Sequence, residues 1–323
     1  MKAIVVSRHG GPEVLALQER PAPVPGAGEV LIRIKAAGVN YADIMQCRGL
    51  YPNGPKPPFV AGFEVTGVVE QAGPDAAPWK VGDAVMAFCS GGYAEYAVVP
   101  ARQLMPKPAQ LSFNEASAIP CQGLTAYHAL ITLGRLREGQ TVLLQAAAGG
   151  LGTLMTQMAR NVGATVIGTC GSDAKCVVVR ELGCAHAINY NTQDFEAEVK
   201  RITDGRGCDL IVESVGGEVF EKSLRCLAAR GMLVTLGMAS AQTGQISSLD
   251  LLVHNWTVSG FHLFAYTSDG VAMGRAMSDL RTWLEEGRLR VLADEVFPLE
   301  EAAEAHRRII ARKTSGKVVL AVS

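Results

Sequence analysis

The sequence predicts an α/β chain in which a doubly wound parallel sheet is inserted into a second, β-rich domain. Three observations predict it. From about residue 121 to 260, strands and helices alternate at the lengths of a parallel sheet covered on both faces. Residues 1–120 read instead as short strands broken by turns and prolines. After two further helices the chain closes on a strand, Lys317–Val322, which implies a return to the first domain. The expected domains are 1–120 (β-rich), 121–260 (parallel sheet) and 261–323 (return).

The elements follow in order. Lys2–Val6 is an apolar first strand, and Pro21, Pro23 and Pro25 break the chain early. Val30–Ile34 partly alternates, like a strand with one wet face. Pro52, Pro55, Pro57 and Pro58 make a stiff loop without helix. Val65–Glu70, Ala84–Phe88 and Tyr93–Val99 are further short strands, with Gly73-Pro74 and Gly91-Gly92 as turns. Thr141–Gln145 is a strand. In the helix after it Leu151, Leu154, Met155, Met158, Ala159 and Val162 recur at helical spacing, and Gly163 stands at the C-cap. Strand Thr165–Thr169, helix Asp173–Leu182, a strand near Ala187–Asn189, helix Asp194–Ile202 and strand Asp209–Val212 come next. A helix over Val219–Ala229 leads to strand Met232–Leu236. A strand near Trp256–Leu263 and helices over 271–286 and 299–312 complete the pattern.

Bulk properties narrow the function. A chain of 323 residues, 48% hydrophobic, can bury two cores. Its formal net charge of −1 gives no reason to expect nucleic acid or a membrane surface as partner. The eight cysteines include no Cys-x-x-Cys pair, and most lie in apolar stretches, so free thiols in a reducing, cytoplasmic compartment are expected. The apolar run at Lys2–Val6 is too short for a signal peptide. Gly139–Ala159 carries no charge, but its glycines and its Gln and Thr residues favour a buried soluble segment over a membrane span.

Chemistry enters at Ala146–Gly152. Ala147-Ala148-Gly149-Gly150-Leu151-Gly152 is a Gly-x-Gly-x-x-Gly pattern with alanine in first place. The pattern alone is weak. Its setting is stronger: a strand before, a helix after, and a second strand at the right distance. Such a turn lets the backbone approach a dinucleotide pyrophosphate, which the helix N-terminus holds with unpaired N–H groups. This is the mark of a Rossmann domain.

Further stretches carry a resemblance over essentially the whole chain. Gly10-Gly11-Pro12-Glu13-Val14-Leu15, Gly38-Val39-Asn40-Tyr41-Ala42-Asp43 and Arg48-Gly49-Leu50-Tyr51-Pro52 resemble the zinc-free, zeta-crystallin-like quinone oxidoreductases of the medium-chain dehydrogenase/reductase superfamily. Gly62-Phe63-Glu64, Val81-Gly82-Asp83, Gly123–Tyr127, Asp209–Gly217 and Thr314–Val319 fit the same family. The resemblance implies that the β-rich domain is GroES-like and catalytic. In zinc-dependent relatives a cysteine and a histidine occupy the places of Asn40 and Phe63, and the structural zinc lobe is missing here. Glu64 alone cannot hold a catalytic zinc, which takes three protein ligands, so no metal is expected. A structural carboxylate bonded to nearby backbone is the favoured reading of Glu64.

The cofactor choice turns on the end of the second strand, where NAD enzymes place an acid for the ribose 2′-hydroxyl. The matching residue here is Cys170. Ser172 and Lys175 can hold a 2′-phosphate, although Lys175 alone reads as a solvated helix face. NADPH is therefore expected over NADH. Asp173 is the contrary signal, since its carboxylate could point inward. The resemblance adds Tyr190, Arg312 and Lys317 to the cofactor residues. By the same resemblance Thr125 lies near the nicotinamide, Gly237 and Ser240 near the ribose, and Phe261 and Leu263 at the carboxamide.

Without zinc, the negative charge developing on a substrate oxygen needs hydrogen-bond donors or water. Asn40, Tyr51 and Tyr41 are the candidates; for Tyr41 an aromatic packing role stands equally. Met45 replaces a tyrosine of the bacterial quinone reductase pattern and makes the pocket more apolar. The expected function is an NADPH-dependent, metal-free reductase of quinones or α,β-unsaturated carbonyls. An enoyl-thioester reductase is the alternative of the same class. A non-enzymatic NADPH-binding protein, crystallin-like or vesicle-associated, is the alternative of another. The strand near Trp256–Leu263, at the end of the Rossmann order, invites pairing with a second copy, so a homodimer is expected.

Overall fold

The computed structural model describes residues 1–293 and 295–323 and divides them into two compact units. The first comprises Met1–Gln122 and Val291–Ser323, the second Gly123–Arg290. The return to the first unit thus begins at Val291, not at the expected 261. The reason is the helix Gly270–Glu285: its Ala276, Leu280 and Leu284 are buried, and it packs on the helix Leu124–Tyr127 of the second unit.

In chain order the first unit starts with β1 (Lys2–Val6), β2 (Leu15–Glu19), β3 (Glu29–Val39), α1 (Tyr41–Cys47), β4 (Phe59–Val60), β5 (Glu64–Ala72), β6 (Ala84–Phe88), β7 (Tyr96–Pro100), β8 (Leu104–Pro106) and α2 (Phe113–Ala116). The second holds α3 (Leu124–Tyr127), β9 (Thr141–Leu144), α4 (Gly150–Val162), β10 (Thr165–Cys170), α5 (Asp173–Glu181), β11 (His186–Asn189), α6 (Phe195–Ile202), β12 (Cys208–Glu213) and α7 (Glu218–Leu224). It continues with β13 (Leu227–Thr235), α8 (Ser248–His254), β14 (Thr257–Gly260) and α9 (Gly270–Glu285). β15 (Glu295–Pro298), α10 (Ala302–Ile310) and β16 (Val318–Ala321) return to the first.

In the first unit, strands run in the order β15-β16-β3-β5-β6-β8, with β7 also paired to β3. β3 is the organising strand. Its Val30, Ile32, Ile34, Ala37 and Val39 are buried with Val65, Val69, Val85, Val318 and Leu320 in one apolar cluster. Burial of this kind contributes roughly 25 cal/mol per Å² of apolar surface. The antiparallel pairing of β3 with β16 and β5 sets Val318 opposite Val39 and Glu64 opposite Gly38. One step beyond the first pair, Lys317 stands across from Asn40.

In the second unit the strands are parallel in the order β11-β10-β9-β12-β13-β14. The order reverses between β9 and β12, so the carboxyl ends of these strands form the switch point where such sheets bind ligands. Leu143, Ile167, Ile211 and Leu233 stack at the centre as a continuous apolar layer. The doubly wound reading is borne out. Two boundaries differ: β14 stops at Gly260, short of the expected Leu263, and α7 stops at Leu224, so that Leu227–Ala229, expected in that helix, belong to β13, where Leu227 pairs with Cys208.

Candidate functional site

The glycine turn lies where the motif places it. β9 ends at Leu144, and α4 begins at Gly150 with Gly149 as its N-cap. Ala146 takes a left-handed conformation (φ 54°), and its N–H donates to Thr169 Oγ1 at 3.2 Å. The Ala147 N–H donates to the carbonyl of Thr169 at 2.9 Å, which ties the turn to β10. A methyl group built on Gly152 would lie 2.5 Å from the Ala146 carbonyl oxygen and 2.6 Å from Ala147 backbone carbons, so no side chain fits. One built on Gly149 meets only the Ala146 carbonyl oxygen, at 3.5 Å, and otherwise projects into open space. That space, in front of the first amides of α4 (Gly150, Leu151, Gly152), fits a pyrophosphate.

The end of β10 carries no acid. Cys170 is buried there, and burial pushes its thiol up to about 12. Ser172 is the N-cap of α5, where its Oγ accepts the Lys175 N–H at 3.3 Å; its hydroxyl proton remains for a ligand. A methyl group on Gly171 would come 2.7 Å from the Tyr190 hydroxyl, so glycine is what brings that hydroxyl over this turn. Ser172, the Lys175 amide and the Tyr190 hydroxyl thereby flank one backbone corner. The carboxylate of Asp173 is held beside this strand end: its Oδ1 accepts at 2.8 Å from Nδ2 of Asn189, the β11 partner of Cys170.

Of the remaining cofactor candidates in this unit, Thr125 lies on α3. Gly237 follows β13, and the Ser240 N–H donates to the Val215 carbonyl at 2.8 Å, joining the loops after β13 and β12. Phe261 and Leu263 follow β14 and are buried, with the Phe261 N–H bonded to Thr235. Arg312 and Lys317 belong to the first unit. Arg312 is exposed there.

Lys317 requires a correction, because it is buried and its charge is spent inside the first unit. Its Nζ donates to Glu64 Oε1 and to Asn40 Oδ1, the latter at 3.0 Å. Asn40 is corrected too. Its Nδ2 donates to Glu64 Oε1 at 2.8 Å and more weakly to the Gly38 carbonyl at 3.4 Å. With both amide protons engaged and 4% of its surface exposed, Asn40 positions its neighbours rather than donating to a substrate oxygen. Glu64 Oε2 accepts the Cys121 N–H at 2.7 Å, the backbone bond expected of a structural carboxylate. Burial holds the Cys121 thiol well above its ordinary range, which keeps it protonated and poorly nucleophilic.

Beneath this group runs a second polar chain that sequence reading missed. Asp43 closes a capping box on α1: its Oδ2 accepts the Asn40 N–H at 2.7 Å. The same oxygen accepts the Tyr93 hydroxyl at 2.9 Å, and that hydroxyl lies 3.2 Å from His306 Nε2. Asp43 Oδ1 is buried without a hydrogen-bond partner. Desolvation raises the Asp43 carboxyl to about 7 and lowers His306 to about 3, the latter assisted by Arg48. Asp43 stands three residues after Asn40, within one motif; Tyr93 and His306 lie too far away in sequence to be paired with it by eye.

Tyr41 opens α1, and Tyr51 lies on the loop after it. The Tyr51 ring packs on Phe63 (centroids 5.2 Å apart), and Phe63 stacks on Phe88 at 6.0 Å. Burial raises the Tyr51 hydroxyl well above its ordinary range, with Cys121 and Asp43 adding to the effect. It therefore stays protonated, as a hydrogen-bond donor. Phe63 was noted in sequence only as a missing metal ligand.

Residues 26–109 match the alcohol dehydrogenase GroES-like domain family, and residues 182–320 match the zinc-binding dehydrogenase family. A 2-haloacrylate reductase of a Burkholderia species is 36% identical over 98% of this chain and 98% of its own length. The synaptic vesicle membrane protein VAT-1 homolog of Rattus norvegicus is 35% identical over 99% of this chain and 84% of its length. The crystal structure of Escherichia coli quinone oxidoreductase complexed with NADPH is 31% identical, with a TM-score of 0.94, and covers 99% of this chain and 100% of that one. The metal in the second family's name does not fit here: Phe63 offers no donor, and Asn40 Oδ1 and Glu64 Oε1 are both held by an ammonium.

Proposed function

Because the chain belongs to the quinone oxidoreductase family of the medium-chain dehydrogenases/reductases, we propose that it reduces a quinone or an α,β-unsaturated carbonyl without a metal. It is an NADPH-dependent oxidoreductase. The observation that carries the cofactor assignment is the corner at Gly171, where Ser172 caps α5 under the Tyr190 hydroxyl and β10 ends in Cys170 rather than an acid.

Bound NADPH supplies a hydride from its nicotinamide. The amides of Gly150, Leu151 and Gly152 face the pyrophosphate, and Gly149 leaves it room, with Ala147 anchoring the turn. Ser172 and Tyr190 donate hydrogen bonds to the 2′-phosphate, and Lys175 adds charge. Thr125, Gly237, Ser240, Phe261 and Leu263 border the nicotinamide and its ribose. In the first unit the Tyr51 hydroxyl donates to the substrate oxygen as negative charge develops on it. Its raised pKa makes it a poor source of the proton itself, which comes from water. Tyr41 packs beside the reacting groups, and Asn40 fixes the start of α1.

The test is anaerobic oxidation of NADPH with a benzoquinone, a simple enone, a 2-haloacrylate and crotonyl-CoA. Turnover is expected with the quinone or the enone, and faster with NADPH than with NADH. Lys175→Ala should raise KM for NADPH about tenfold, the equivalent of roughly 1.4 kcal/mol, and leave KM for NADH nearly unchanged. Turnover of crotonyl-CoA alone would move the assignment to enoyl thioesters. NADPH binding without oxidation of any substrate would leave a binding protein, a reading supported by the similarity to the VAT-1 homolog.

A cytoplasmic homodimer belongs to the same proposal. The eight cysteines are free thiols, as a reducing compartment keeps them. Among the described residues β14 pairs only with β13, and α8, just before it, exposes Leu249, Leu252 and Val253. Light scattering should give twice the chain mass; a monomer mass removes the dimer.

A further inference from the structure

We infer that the Lys317 ammonium is a built-in cation, seated where Asn40 and Glu64 converge, so that this chain carries covalently the positive charge a bound metal would otherwise supply there. The fold builds the seat from three adjacent strands. β3 ends at Val39 and delivers Asn40, β5 begins with Glu64, and Lys317 leads into β16. Oδ1 of Asn40 and Oε1 of Glu64 both accept from Nζ, and the other Glu64 oxygen is tied to the Cys121 amide. The lysine and glutamate side chains are 1% and 0% exposed.

The stem of the lysine has a passage made for it. A methyl group on Gly38 would lie 2.5 Å from Lys317 Cε and 2.7 Å from Glu64 Oε1, so a side chain there would displace the pair. Gly316, at φ 69°, turns the backbone just before Lys317, and the Lys317 N–H is bonded to the Leu292 carbonyl at 2.7 Å. Two oxygen acceptors, one of them charged, held rigidly at one point and shielded from water make a cation seat. A divalent ion entering it would meet the ammonium at close range in a medium that screens little. The inference is independent of the cofactor and of the substrate.

A charge cycle tests it. Lys317→Met keeps the length of the stem and leaves Glu64 as an uncompensated buried carboxylate. It should lower the melting temperature by about 10 °C, since breaking a buried pair is costly and a chain of this size melts a few degrees lower per unit of lost stability. Adding Glu64→Gln to Lys317→Met should recover a large part of that loss. A second variant reads the seat directly: Lys317→Ala lacks the atoms of one propylammonium ion. Millimolar propylammonium should raise its melting temperature by several degrees, while propanol, tetramethylammonium and sodium should not, and wild type should not respond. Should Lys317→Ala fail to accumulate folded, the methionine cycle decides. A double variant no more stable than Lys317→Met, or propylammonium acting alike on wild type and Lys317→Ala, overturns the inference. So does one tightly held zinc per wild-type chain in equilibrium dialysis that is lost from Glu64→Gln.

Discussion

Replacing Gly152 with valine should weaken NADPH binding about a hundredfold and lower reductase turnover with it. Even the first carbon of the new side chain would fall 2.5–2.6 Å from the backbone of Ala146 and Ala147. Backbone cannot swing aside as a side chain can, so the turn between β9 and α4 must move. Overpacking of this kind costs about 1–3 kcal/mol in stability. Binding suffers more, because the amides of Gly150–Gly152 lose their common direction toward the pyrophosphate. A loss of roughly 3 kcal/mol is about a hundredfold in Kd, and fluorescence titration with NADPH measures it. Gly149→Ala is the informative partner. Its methyl group meets protein at 3.5 Å only, so thermal stability should stay near wild type while NADPH binding weakens, because the group fills the space left for phosphate. A Gly152→Val protein with wild-type NADPH affinity would remove the dinucleotide turn from the mechanism.

The second large effect is on stability against pH. Asp43 and His306 sit on either side of the Tyr93 hydroxyl, and both are held neutral by burial. The Asp43 carboxyl is raised from 3.8 to about 7. Between those values the folded chain keeps a proton the unfolded chain has lost, so stability falls as pH rises. The His306 imidazole is lowered from 6.5 to about 3. Between those values the unfolded chain binds the extra proton, so stability rises with pH. Each slope is about 1.4 kcal/mol per pH unit, and from about pH 4 to 6.5 the two cancel. Asp43→Asn should uncover the histidine slope: relative to wild type, the variant gains stability steadily from pH 4 to 6.5 and further to about 7. His306→Gln should change with the opposite sign. Denaturant midpoints at half-unit intervals of pH would show it; parallel curves for wild type and Asp43→Asn would mean that Asp43 is not held neutral, and parallel curves for wild type and His306→Gln would mean the same of His306.

Much of the second unit was legible because its signals are local. The strand-turn-helix at Ala146–Gly152, the hydroxyl at Ser172 and the missing acid at Cys170 are each contained within a few residues. The first unit was legible only in part. Asn40 was noticed with Phe63 as the place of an absent zinc ligand, Glu64 as a structural carboxylate, and Lys317 as a member of a C-terminal motif. Nothing in sequence spacing joins positions 40, 64 and 317. A lysine leading into the buried run Val318-Val319-Leu320 was the one available sign that a cation lies inside.

By itself, then, the sequence determined the layout of the chain, the dinucleotide turn and the reductase family, since alternation of elements and glycine placement are properties of neighbouring residues. The pairing of β3 with β16 and β5 decided the rest. It turned Asn40 from a substrate donor into a bridge, and Lys317 from a cofactor residue into the buried partner of Glu64. A charge taken out of water must find its counter-charge wherever the folded chain brings one, and only the register of three strands says where that is.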